Sequence, residues 1–101
     1  MIREGELKII ILVEEKKPYS YSRKYLGFLY VERGLKEKAM EEFEEALKVV
    51  PSDSECHYEL GKIYMTLKNK EKAIHHFEEA IKNGTKNEKE AKAFLKDLRH
   101  E

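Results

Sequence analysis

The apolar side chains fall on stripes that repeat along the chain. Leu26, Leu29 and Tyr30 stand at i, i+3, i+4 spacing, which predicts a helix from about Tyr21 to Glu32. Gly34 breaks it. Ala39, Met40, Phe43, Ala46 and Leu47 form the next stripe and predict a second helix, from about Lys36 to Val49, stopped by Pro51. Ser52-x-x-Glu55 reads as a capping box that starts a third. Leu60, Ile63, Tyr64 and Leu67 then face inward, a turn falls near Asn69, and Ala73, Ile74, Phe77, Ala80 and Ile81 mark a fourth helix ended by Asn83-Gly84. Asn87-x-x-Glu90 caps a last helix, Glu88 to His100, whose apolar face is Ala91, Phe94, Leu95 and Leu98.

Laying Ser20–Asp53 over Ser54–Asn87 without a gap gives 13 identities in 34 positions. An average composition gives roughly two. Leu26-Gly27-x-x-Tyr30 recurs as Leu60-Gly61-x-x-Tyr64, and Lys36-Glu37-Lys38-Ala39 recurs as Lys70-Glu71-Lys72-Ala73. Phe43-Glu44-Glu45-Ala46 recurs as Phe77-Glu78-Glu79-Ala80. Each unit therefore reads as a helical hairpin. Glycine inside a helix costs about 1 kcal/mol against alanine. Gly27 and Gly61 are accounted for if a neighbouring helix approaches that face closely, with Phe43 and Phe77 filling the larger gaps.

The period, the Leu-Gly-x-x-Tyr segment, the Ala-x-x-x-Phe-x-x-Ala segment and Pro51 together resemble the tetratricopeptide repeat family. The resemblance covers Ser20 to Asn87. It departs at Arg23 and His57, where that family has Trp, and at Thr85, where it has Pro. It implies an all-α fold: a right-handed α-solenoid of antiparallel helix pairs. The chain 1–101 would be a single domain with an N-terminal helix (1–19), two repeats (20–53 and 54–87) and a capping helix (88–101). It also implies a concave groove that receives a peptide or a helix of another protein. Tyr21, Lys24, Tyr25 and Phe28 would line it, then Tyr58, Glu59, Lys62 and Met65, then Lys92. The aromatic residues suit binding hot spots, and the lysines favour an acidic segment. The clamp by which some members hold acidic chaperone tails does not fit. Lys24 and Lys89 match it, but Phe28, Glu59 and Ala93 stand where it needs Asn, Asn and Arg.

Composition narrows the rest. Lys and Arg number 20, Asp and Glu number 20, and the formal net charge is zero, which disfavours nucleic acid as a partner. Acidic residues gather at Glu41–Glu45 and Glu78–Glu79, and lysines at Lys82, Lys86, Lys89, Lys92 and Lys96. A single cysteine, Cys56, excludes an internal disulfide. The apolar run Ile9–Val13 is too short for a membrane span or a signal core, so a cytoplasmic setting is expected. Cys56 and His57 are adjacent, about 100° apart on a helix, which is not a chelating pair. His75 and His76 fall on an expected solvated face. The carboxylate pairs do likewise, with Glu44–Lys48 and Glu78–Lys82 at stabilising i, i+4 spacing. No Gly-rich phosphate loop or nucleophile turn is present. The chain is expected to be no enzyme and to carry no metal or cofactor.

Arg3 to Lys17 reads as a helix stopped by Pro18, with a strand over Ile9–Val13 as the alternative. As a helix, its apolar residues wrap more than one packing face, and Ile9, Ile10, Ile11 and Leu12 would form a self-association surface. The alternative is a monomer whose front helix is wholly buried. Sedimentation separates the two: self-association predicts a species larger than the monomer that Ile9→Glu or Ile11→Glu reduces to one chain, and a parent chain monomeric at high concentration refutes it.

Overall fold

The Lys/Glu-rich sequence favours helix throughout, because long unbranched side chains lose little freedom there. The computed structural model describes Arg3, Gly5, Glu6, Ile10 and residues 20–100, with the side chains of Ser20 and Tyr21 excepted. The described residues contain five helices and no strand: α1 (Ser20–Glu32), α2 (Lys36–Val49), α3 (Ser54–Thr66), α4 (Lys70–Lys82) and α5 (Glu88–Arg99). The all-helical expectation holds. Of the expected self-association residues only Ile10 is described, half-buried in helical backbone; Ile9, Ile11 and Leu12 lie outside the described residues.

The chain divides into two compact units, Met1–Pro51 and Ser52–Glu101. In the first, α1 packs on α2; in the second, α3 packs on α4 and α4 on α5. Each hairpin closes on one contact. A Cβ added to Gly27 would stand 2.7 Å from Cε1 of Phe43, and one added to Gly61 would stand 2.7 Å from Cδ1 and Cε1 of Phe77. Both rings are wholly buried, as are Ala39, Ala73 and Ala80. The small residues let the helices meet, and the phenylalanine of one lies against the bare backbone of the other.

The turns after α1, α3 and α4 share a single device. After α1, the N–H of Leu35 donates to the Tyr30 carbonyl at 2.8 Å and that of Gly34 to Val31 at 3.0 Å. After α3, Asn69 donates to Tyr64 at 2.9 Å and Lys68 to Met65 at 3.1 Å. After α4, Thr85 donates to Ala80 at 2.9 Å and Gly84 to Ile81 at 3.1 Å. This paired pattern needs a left-handed residue just past the helix. Gly34 and Gly84 supply it with φ of 76° and 77°, but Lys68 is held there at φ 63°.

Helix starts differ from the sequence expectation. The cap of α3 is Asp53, not Ser52: its Oδ1 accepts from Glu55 N at 3.0 Å and Cys56 N at 3.1 Å. The aspartate, one residue nearer the helix, reaches the first free N–H groups. Asn69 caps α4 through Lys72 N at 3.3 Å. Asn87 makes no side-chain cap bond; its own N–H donates to Thr85 Oγ1 at 3.1 Å. Glu78, expected to pair with Lys82, bonds Arg99 of α5, and Lys48, expected to pair with Glu44, bonds Glu45 at 2.8 Å.

Two substitutions test this packing, with opposite signs. Gly61→Ala improves helix propensity by about 1 kcal/mol yet overpacks a buried ring, which costs about 1–3 kcal/mol. The expected result in a thermal or urea melt is a net loss. Lys68→Gly removes the cost of a left-handed lysine and is expected to gain about 0.5–1 kcal/mol. A stabilised Gly61→Ala would refute the close approach.

Candidate functional site

In the first unit Lys24, Tyr25 and Phe28 stand on α1. The Phe28 ring meets Phe43 edge to face at 5.3 Å, and Tyr25 lies 6.0 Å from Phe28. Phe28 and Lys24 are half-buried, while Tyr25 is 40% exposed. The result is an aromatic step. Phe28 is anchored on the core ring that fills the space opposite Gly27, and Tyr25 is carried outward on that rigid base. Such a ring offers a partner a large contact with little freedom left to lose. Tyr21, expected on the same face, has its side chain outside the described residues.

In the second unit the expected residues are placed differently. The sequence predicts Tyr58 to be free of the inward stripe, but it is only 7% exposed and belongs to the core. Its ring packs 5.9 Å from Phe77 and 6.5 Å from Phe94. Lys62 Nζ covers it at 4.9 Å and pairs with Glu59 at 3.3 Å. Burial, then Glu90 and Glu59, raise the pKa of its hydroxyl. Tyr58 therefore holds Lys62 in place rather than presenting an open ring. Met65 is half-buried and lines a cleft of about 380 Å³ with Lys68, Lys70 and Leu98. Lys92 is exposed on α5 and lies 3.5 Å from Glu88.

One cluster escapes the sequence reading. His76 is not a solvated surface residue. Its Nδ1 lies 3.0 Å from Nδ1 of His57, and its ring stacks on Tyr64 at 5.5 Å and 6°. His57 is 6% exposed. His75 sits edge-on to His76 at 5.0 Å, and Lys72 lies over the Tyr64 ring at 5.2 Å. At 3.0 Å only one of the two facing nitrogens carries the proton. One period earlier, the same two positions hold Arg23 and Glu42, an ion pair at 2.9 Å. That is the signal by which the pair could be found. Arg23 and Glu42 are opposite charges on facing helices, so their counterparts must also meet. No group of three or more His, Cys, Asp or Glu suited to a metal occurs among the described residues. Cys56 is wholly buried.

A third charged group ties the chain's start to the end of α1. Glu6 is buried. Its carboxylate accepts from Arg3 at 2.7 Å and from Arg33 at 2.5 Å. The Arg3 hydrogen bond holds its pKa below the ordinary value, against the opposing effect of burial.

The histidine pair makes stability depend on pH. Burial first, then His57, His75 and Lys72, push the His76 pKa from 6.5 down to about 4. Between those values the unfolded chain binds more protons than the folded one, so stability falls as pH drops through that window. With solvent screening at the half-buried ring the loss is about 1–2 kcal/mol. Replacing the pair with the first unit's residues, His57→Arg with His76→Glu, is expected to flatten the melting profile between about pH 6.5 and 4.5. An unchanged slope would place its source elsewhere.

The profile of a family described as Regulator of microtubule dynamics protein 1-3 matches residues 13–100. No curated protein matches the chain. This match overturns the resemblance to the tetratricopeptide repeat family. The 34-residue period and the Gly–Phe hairpins stand as properties of the chain, since any helical pair that meets this closely needs a small residue opposite a large one. What changes is the warrant for the groove residues. They no longer inherit a role by resemblance and rest on their own exposure and chemistry.

Proposed function

Because the chain belongs to the regulator of microtubule dynamics protein 1-3 family, we propose that it is a protein-binding module acting on the microtubule system. The observation that carries this reading is the extent of the match, which takes in all five described helices. Tyr25, with Lys24 and Phe28 beside it, is the contact we assign to a peptide or helix of the partner. The first unit supports that choice, because the exposed ring is braced from below by Phe28 and Phe43. The role is binding rather than catalysis, in keeping with charged residues that serve as helix-to-helix ion pairs. No helix among the described residues is long and apolar enough to cross a membrane, and a cytoplasmic setting suits a microtubule partner.

Co-sedimentation with microtubules, together with growth and shrinkage rates of single filaments, tests the reading. The chain is expected to pellet with microtubules or to alter one of the rates. Tyr25→Ala is expected to weaken the effect about tenfold, the value of a braced aromatic anchor. A chain that neither pellets nor changes either rate refutes the proposal.

A further inference from the structure

The last helix carries more positive charge on one flank than its own stability accounts for. Lys89, Lys92, Lys96 and Arg99 are all exposed. Their spacing of i, i+3, i+7, i+10 keeps them within about 80° of one another on a helical wheel. Ala91 and Leu95 are buried on the adjoining face, and Phe94 stacks on Phe77 of α4 at 5.1 Å. Glu90 and Asp97, both exposed, fall on the other flank. The cationic row is therefore uninterrupted along its length.

Helix electrostatics account for only half of it. Lys96 and Arg99 lie in the last turn, where cations oppose the negative helix end. Lys89 and Lys92 lie near the first turn, where a cation is unfavourable by the same effect. Two of the four already hold carboxylates: Glu88 lies 3.5 Å from Lys92, and Glu78 bonds Arg99. Both are exposed pairs, of the kind that stabilise by less than about 1 kcal/mol and exchange readily. Lys89 and Lys96 make no ion pair among the described residues. They stand seven residues apart, about 10.5 Å along the axis. An extended chain in the polyproline II conformation presents the same face every three residues, about 9.3 Å along its axis, so carboxylates three residues apart match that interval. Beyond Lys96, a shallow depression of about 410 Å³ lined by Lys96, Arg99 and His100 continues the row.

We propose that this flank of α5 binds an extended acidic segment of a partner protein, with carboxylates three residues apart seated on Lys89 and Lys96. The inference rests on the reading of the chain as a protein-binding module and names the chemistry of what it binds. Lys92 and Arg99 serve as flanking cations that can release their own carboxylates to the incoming ones.

The test uses the full chain and a labelled synthetic peptide bearing glutamates every third residue, with the glutamine version as control. Fluorescence anisotropy is expected to show binding of the glutamate peptide only, weakening at least about tenfold as salt rises from about 50 to about 500 mM. Lys89→Glu with Lys96→Glu is expected to lose at least about tenfold in affinity at low salt, and far-ultraviolet circular dichroism checks that the helices are retained. Amide chemical shifts should move along α5. Equal binding of the glutamine peptide, or undiminished binding by a folded double variant, overturns the proposal. So does tighter binding to a homopolymeric RNA of matched charge, which would assign the flank to nucleic acid. A chain that acts on microtubules through Tyr25 yet ignores the glutamate peptide refutes this inference alone.

Discussion

Each described hairpin depends on a phenylalanine ring lying against a glycine. At 2.7 Å from where a Cβ would be, Phe43 and Phe77 leave no room for any other residue at positions 27 and 61. Glycine weakens a helix by about 1 kcal/mol, and burying a phenylalanine contributes about 1.5–3 kcal/mol, so the exchange favours packing. The alanines at 39, 46, 73 and 80 follow from the same constraint, since a helix that comes this close must be smooth on that face. So does the aromatic step of the first unit, because Phe28 rests on Phe43 and Tyr25 on Phe28.

Around that fixed contact, equivalent positions have taken different chemistry. Facing side chains 19 residues apart form an ion pair in one hairpin and a shared-proton histidine pair in the other. In the histidine pair, burial first and then His57, His75 and Lys72 disfavour a charge on His76. The two units thus share a skeleton but fill the same facing positions with different chemistry. The α5 flank is a further divergence: where α3 has Glu55, Tyr58, Lys62 and Met65, α5 has Lys89, Lys92, Lys96 and Arg99.

Periodicity alone located the helices, because apolar stripes and turn glycines report directly on which residues a hairpin buries. The Gly–Phe contact was legible for the same reason. A glycine that weakens its helix recurs at a fixed distance from a large ring, as a close approach of two helices requires. Caps were less legible. Ser52 and Asp53 are both capable of capping, and only the path of the chain decided that Asp53 reaches the free N–H groups. The family could not be read from the period, since a close-packed helical hairpin imposes much the same pattern of small and large residues on unrelated chains.

The sequence by itself determined the helical hairpins, their glycine-to-ring contact and the basic row on α5, because each follows from spacing along a single helix or from a repeated pair. Tertiary structure decided which aromatic residue is open and which is buried. Tyr25 and Tyr58 look alike in sequence, yet one stands 40% exposed and the other 7%. The reason is what comes next in the fold: in its own unit Tyr58 is covered by Phe94 and Lys62, and the Phe94 contact is one between helices that no spacing within one helix specifies. The meeting of His57 and His76 was decided in the same way, by two helices brought together rather than by either one.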